Sequence, residues 1–299
     1  MTLRYFTRAA AAALAFAASF ALPSAAGAQP APQFSTVRVS TGIRLNYAEQ
    51  GGGAAEPIVL LHGLSDSWFS FSRVLPLLSA QRRVYALDLR GHGGSDKPKV
   101  GYGMSDLAAD VIAFMDAKGI DRATILGHSM GSFVAQQVAL SAPRRVSRLI
   151  LVGSATSPRK LAGMTELESV VRSLKDPVPA DFLREFQLST VHDNVPKEFI
   201  DRAVEESGKL PARAWHGLLD GLLVAEAPAA LGTSGIPTLV MWGDKDTYAL
   251  GPEQNALVEL IRTASLKTYI DTGHAPHWER PAAFARDVLA FIARPVAND

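Results

Sequence analysis

At 299 residues, with 47% hydrophobic and 20% charged side chains, the chain has enough apolar material for one large domain or two smaller ones. Its 30 Lys and Arg nearly balance 29 Asp and Glu, so no basic excess holds it to nucleic acid or an anionic membrane. Cysteine is absent, which excludes disulfides, thiolate nucleophiles, iron–sulfur clusters and cysteine-type zinc sites together.

The first residues read as an export signal. Arg4 and Arg8 precede an Ala/Leu/Phe run from Ala9 to Leu22, the length of a signal core and short for a membrane span. Pro23 stops it, and Ala26-Gly27-Ala28 is an A-x-A cleavage pattern, so the expected signal peptide is residues 1–28. Its loss removes two Arg and no acid, leaving 28 basic against 29 acidic side chains, a net charge of −1. The mature protein is expected to be periplasmic or extracellular, with no stable membrane anchor.

Strands and helices then alternate. Thr36–Val39 and Ile43–Glu49 pattern as a hairpin around Thr41-Gly42. Continuous apolar runs at Pro57–Leu61, Val84–Leu87, Ala123–Leu126, Leu149–Val152 and Thr238–Met241 mark strands buried on both faces, and Leu266–Ile270 is a weaker last strand. Helical periodicity falls between them at Trp68–Leu78, Ser105–Ala117, Ser129–Leu140, Glu253–Ile261 and Ala282–Ile292. The order predicts an α/β fold, a mostly parallel central sheet flanked by helices. From Ser154 to Gly235 no strand pattern occurs. Four amphipathic helices, near Met164–Leu174, Ala180–Leu188, Lys197–Glu206 and Arg213–Ala225, predict a helical cap over 154–235. Residues 29–153 and 236–299 then form the core domain.

Gly127-His128-Ser129-Met130-Gly131 lies where a strand turns into a helix and matches G-x-S-x-G in the context that motif requires. The turn lifts the Ser129 hydroxyl above the sheet at a helix N-terminus, where developing negative charge is favoured. Ser129 as a plain helix cap is the competing reading. A serine needs a base. His274 and His277 follow the last strand at the same end of the sheet; His274, straight after Gly273, is the expected base, with His277 the alternative base or a pocket residue. Strand Thr238–Met241 runs into Asp244 and Asp246. Asp246 is the expected partner that orients the imidazole, and Asp244 a turn cap. The chain order Ser129, Asp246, His274 is the order of an α/β-hydrolase triad.

At these residues the chain resembles the α/β-hydrolase fold superfamily, in its cap-bearing branch of carboxylesterases, enol-lactonases, C–C hydrolases and perhydrolases. His62-Gly63 resembles the family's oxyanion loop, and Asp88–Asp96 its D-x-R-G-x-G-x-S segment. Gly243-x-x-Asp246 and Gly273-His274-x-x-x-x-Glu279-x-Pro281 resemble its acid and histidine loops. The resemblance implies an oxyanion hole from the backbone N–H groups of Leu64 and Met130. Trp68, beyond that loop, is a candidate pocket wall, and so is His277.

Two other site types are disfavoured. Gly91–Lys97 lacks the GK[ST] ending of a phosphate loop and does not lead straight into a helix. Asp271, His274 and His277 are spaced like metal ligands but sit in a loop, and no H-E-x-x-H occurs. No metal and no cofactor is implied. The expected activity is serine hydrolysis of a small, largely apolar ester or lactone through an acyl-enzyme. C–C bond hydrolysis of the meta-cleavage type is the alternative reaction, and a triad-retaining small-molecule receptor the alternative class.

Overall fold

The computed structural model describes residues 30–193, 195–225 and 229–295. The expected signal peptide therefore lies outside the described residues. Strands β1 (Gln33–Arg38) and β2 (Arg44–Gln50) form the hairpin; β1 starts three residues before its alternating segment and ends one short of it, and β2 is shifted one residue on. Strands β3 (Ile58–Leu61), β4 (Val84–Leu87), β5 (Ala123–His128), β6 (Val146–Val152), β7 (Thr238–Gly243) and β8 (Ala264–Tyr269) follow. They join in one eight-stranded sheet of order β1-β2-β4-β3-β5-β6-β7-β8. β1 and β2 run antiparallel to their neighbours and every other pairing is parallel. β3, β4, β5 and β6 are buried along their whole length, which is why each contains a continuous apolar stretch rather than an alternating pattern.

The helices are α1 (Leu75–Leu78), α2 (Met104–Ala117), α3 (Met130–Ser141), α4 (Met164–Ser173), α5 (Ala180–Ser189), α6 (Lys197–Ser207) and α7 (Ala212–Leu223). After β7 come α8 (Gly251–Leu260), α9 (Pro276–Glu279) and α10 (Pro281–Ile292). One expected helix breaks up. Trp68–Leu78 becomes a 3-10 turn, Trp68–Phe71, and the single turn α1. Two local bonds account for it. Ser67 accepts a hydrogen bond from the Phe69 amide, and the Trp68 amide donates to Asp88 Oδ1 at 2.7 Å, so the chain is pinned to the β4 loop. The last strand begins two residues earlier than its apolar pattern and ends before Ile270, which is exposed.

α4 to α7 lie between β6 and β7, and the buried apolar side chains of α4, α5 and α7 join the same core as the sheet, α2 and α3. Trp215 of α7 is fully buried, with Phe182 and Phe186 of α5 each at 5.3 Å between ring centroids. Truncating such an aromatic costs about 3–5 kcal/mol. Their outward faces carry exposed ion pairs such as Arg172–Asp220 and Lys197–Asp201.

Candidate active site

The G-x-S-x-G segment bends where β5 meets α3. Ser129 has φ 51°, a left-handed value that a non-glycine residue holds only when its surroundings fix it. Here they do: its amide donates to Val152 O at 2.9 Å and its carbonyl accepts from the Ser132 amide at 2.8 Å. Ser129 makes no side-chain cap bond to the helix, so its hydroxyl is not spent as a helix cap. Gly131 is needed for a steric reason: a Cβ there would lie 2.2 Å from Leu61 O. α3 can therefore sit directly on β3.

His274 follows β8 and is buried. Its Nδ1 lies 2.8 Å from Asp246 Oδ2. Asp246 Oδ1 accepts from the amides of Tyr248 (2.8 Å) and Ala249 (2.9 Å). One carboxylate oxygen is thus fixed by its own loop while the other holds the imidazole. Asp244 does something different: its Oδ1 accepts from the Thr272 amide at 3.4 Å, a long tie between the two loops. The His274 ring fits because residue 153 is glycine; a Cβ there would stand 2.7 Å from His274 Cε1.

Ser129 and His274 line one narrow cavity of about 40 Å³. Leu64 also lines it, and the roof comes from Leu161, Met164 and Leu167 around α4, Phe186 and Thr190 at α5, Leu222 of α7, and Tyr248. The Tyr248 hydroxyl is 2.5 Å from Ser189 Oγ, which joins the acid loop to α5. Met130 opens α3, so its amide has no acceptor one turn earlier in the helix. Leu64 belongs to the loop that passes beside Ser129: a Cβ on Gly63 would lie 3.3 Å from Ser129 Cβ.

The structure brings Ser129, His274, Asp246 and Leu64 together, but not Trp68 and His277, the two expected pocket residues. The Trp68 ring instead meets Phe34 edge-on at 4.7 Å, away from the cavity. His277 is fully buried beneath the site. Its Nε2 is 3.1 Å from Ser70 Oγ and its ring centroid is 4.5 Å from that of His128. Burial first, then the nearby His274, pushes its pKa down to about 3, so it stays a neutral packing group. Its place in α9, facing inward, follows from the turn at Pro276, which loop spacing alone does not reveal.

Burial also lowers the pKa values of His62, His92 and His128. The first two are structural clips. His62 Nε2 accepts from the Leu89 amide at 3.0 Å, leaving Nδ1–H to donate to Gly63 O at 2.8 Å. His92 Nε2 likewise accepts from the Ser65 amide at 3.2 Å. The Gly91–Lys97 turn wraps a carboxylate, not a phosphate: Asp88 Oδ2 accepts from the Gly94 amide and from Asn46 Nδ2, both at 2.8 Å.

The apolar roof residues, Tyr248 and Thr190 escaped the sequence reading. Amphipathic periodicity shows that a helix has an inner face, but not which inner residues meet Ser129 rather than each other. Glu279 also has a role its motif only hinted at. It is buried, its carboxyl is pushed upward by that burial, and it accepts from the Gly273 amide at 2.8 Å and the Asp193 amide at 3.0 Å. It thereby fixes the loop carrying His274.

A family model for the alpha/beta hydrolase fold matches residues 56–281. Over 273 residues the chain is 33% identical to a 2-hydroxy-6-oxononadienedioate/2-hydroxy-6-oxononatrienedioate hydrolase of Pseudomonas putida, covering 84% of this chain and 92% of that one. It is also 33% identical over 251 residues to the dihydrolipoyllysine-residue acetyltransferase component of the acetoin cleaving system of Cupriavidus necator. That match covers 81% of this chain but 65% of the relative, less than two thirds of its length. Among solved structures, an esterase from Exiguobacterium antarcticum superposes with a TM-score of 0.79 at 21% identity, over 88% of this chain and 100% of the other.

Proposed function

We propose that this chain, which belongs to the alpha/beta hydrolase fold family, is a serine hydrolase that cleaves a carboxylic ester or lactone with a small, largely apolar acyl part. The observation that carries this reading is the shared cavity: Ser129 and His274 both open into it, while Asp246 stands behind His274.

Ser129 Oγ attacks the carbonyl carbon, and His274 Nε2 takes its proton. Asp246, bonded to Nδ1, keeps the other imidazole nitrogen free for that task and stabilises the imidazolium that forms. The carbonyl oxygen becomes an oxyanion facing the amides of Leu64 and Met130. His274 returns the proton to the leaving alkoxide, and an acyl-enzyme remains. Water, deprotonated by His274, then releases the acid.

The lining supports one substrate class over the other. Among the described residues the cavity wall carries no Lys or Arg, and its polar groups are limited to Ser129, Thr190, Tyr248 and His274. A dioate, the substrate class in the name of the P. putida relative, would bring a carboxylate into this space with no cation to meet it. A neutral, short acyl group fits the size and chemistry better, since about 40 Å³ is room for only a few waters. The N-terminal Arg4, Arg8, Ala9–Leu22 and Ala26-Gly27-Ala28 pattern supports export, with the mature chain starting at Gln29.

The test is a turnover screen of the mature protein on p-nitrophenyl esters of graded acyl length, lactones and a dienedioate. A fluorophosphonate probe is used alongside to map the labelled residue. Steady turnover of short esters with label on Ser129 is expected. Preference for the dienedioate would move the reaction to C–C cleavage, and a single burst without turnover would make the protein a receptor. N-terminal sequencing of the periplasmic or secreted fraction checks the cleavage site.

A further inference from the structure

The helical layer reaches the loop after Leu64 through the side chains of Gln187 and Ser207. Gln187 of α5 is 1% exposed, and its Nε2 lies 3.2 Å from Ser65 Oγ, 3.1 Å from Asp66 Oδ1 and 2.7 Å from Ser207 Oγ. Ser207, at the end of α6, is itself 3.3 Å from Ser65 Oγ. Two cap helices therefore grip the residues that follow Leu64.

That stretch of loop needs holding. Ser65 has φ 66°, the left-handed region that a residue with a Cβ occupies at a cost. From the core side the conformation is supported by His92 Nε2 on the Ser65 amide at 3.2 Å and by Ser70 Oγ on Asp66 Oδ2 at 3.1 Å. The remaining side-chain support comes from the cap. Meanwhile Gln187 is a poor stabiliser in its own right. Its two amide protons are shared among three acceptors, and its buried Oε1 has no partner among the described residues.

We infer that Gln187, assisted by Ser207, is a positioning residue for the oxyanion hole: it aligns the Leu64 amide through Ser65 and Asp66, so the hole is complete only with the cap docked. The inference rests on the reading of Ser129 as nucleophile. It makes the cap part of the rate as well as of the selectivity. An oxyanion donor is worth about 100- to 1,000-fold in rate, and misplacing it by a fraction of an ångström forfeits part of that.

The experiment compares wild type, Gln187→Leu and Ser207→Ala as full-length mature proteins. It measures kcat and KM on p-nitrophenyl acetate, the inhibition constant of n-butylboronic acid, and Tm. Boronate becomes a tetrahedral anion on the serine and reads the hole directly, whereas KM for this ester mostly reads the apolar cavity. For Gln187→Leu we expect kcat to fall about 10- to 100-fold with KM within about threefold, and boronate binding to weaken by a similar factor. Ser207→Ala should give a smaller change in the same direction, and it carries the test if Gln187→Leu does not fold. Unchanged kcat in a folded variant overturns the inference, and so does a fall in kcat without weaker boronate binding. A Ser129→Ala control separates the two levels: if it turns over like wild type the nucleophile reading fails, whereas if it is dead and Gln187→Leu is normal, only the positioning role fails.

Discussion

The floor and the roof of the cavity are built by different means. On the floor, Ser129 and Asp246 are fixed by backbone groups, Asp246 in turn holds His274, and Gly131 and Gly153 let neighbouring elements approach closer than any side chain would permit. The roof is held by side chains, with Trp215, Phe182 and Phe186 packing α5 against α7. Backbone bonds fix atoms to fractions of an ångström, and apolar packing tolerates substitutions of similar volume. The geometry of the floor is therefore rigid, while the shape of the space above it is open to change by substitution.

Substitutions can break that contrast. The largest effect belongs to Ser129→Ala and His274→Ala, each expected to lower kcat about 10⁵- to 10⁶-fold, measured on one activated ester after circular dichroism confirms folding. Next comes Asp246→Asn, which retains the shape but favours the wrong imidazole tautomer; a loss of about 10⁴-fold is expected, on the serine-protease precedent. Asp244→Asn should cost under about tenfold, because its long bond to the Thr272 amide ties loops rather than orienting a ring. If the two aspartates exchange effects, the acid assignment is wrong. Gly153→Ala forces a methyl into the His274 ring at a left-handed φ of 55° and should cut kcat about 100-fold. A near-normal rate for that variant would show that the floor has more slack than the geometry implies. On the roof, Leu222→Ala and Leu167→Ala should widen the cavity. Relative kcat/KM should shift about tenfold towards longer acyl chains while reactivity with p-nitrophenyl acetate changes little. Smallest of all, Arg172→Ala removes exposed pairs with Glu168 and Asp220 and should leave Tm and kcat unchanged.

The floor was far more legible in the sequence than the roof, for the same reason. Buried parallel strands leave unbroken apolar runs, and sharp turns between strands and helices leave glycines, so β3, β5, β6 and the turn at Ser129 announce themselves. Asp246 and His274 could be placed at strand ends because topology brings those ends together. Contacts between distant side chains leave no such mark. Nothing in the spacing of Gln187 points to Ser65, 122 positions away, and nothing around His277 shows that α9 turns it beneath the site rather than into it. Trp68 misled because an aromatic after the oxyanion loop can pack outward as readily as inward; here Phe34 of β1 takes it.

Four of the buried histidines have a consequence for the protein in acid. His62, His92, His128 and His277 hold lowered pKa values because burial disfavours their charged forms. In the unfolded chain each titrates near the ordinary value of about 6.5. Below that pH the unfolded chain binds protons that the native one refuses, so unfolding takes up protons and stability falls as pH drops. For His277 the decline continues down to about pH 3, where the folded group also titrates. Asp66 and Glu279 act in the opposite sense. Their raised pKa values let the folded state keep protons the unfolded chain has released, so they weaken the fold as pH rises from the ordinary carboxylate range of about 4. The imidazoles that pin the loops around Ser129 thus make the fold a proton-linked equilibrium. Acid would draw the chain towards unfolding by the same rings that hold its site in order.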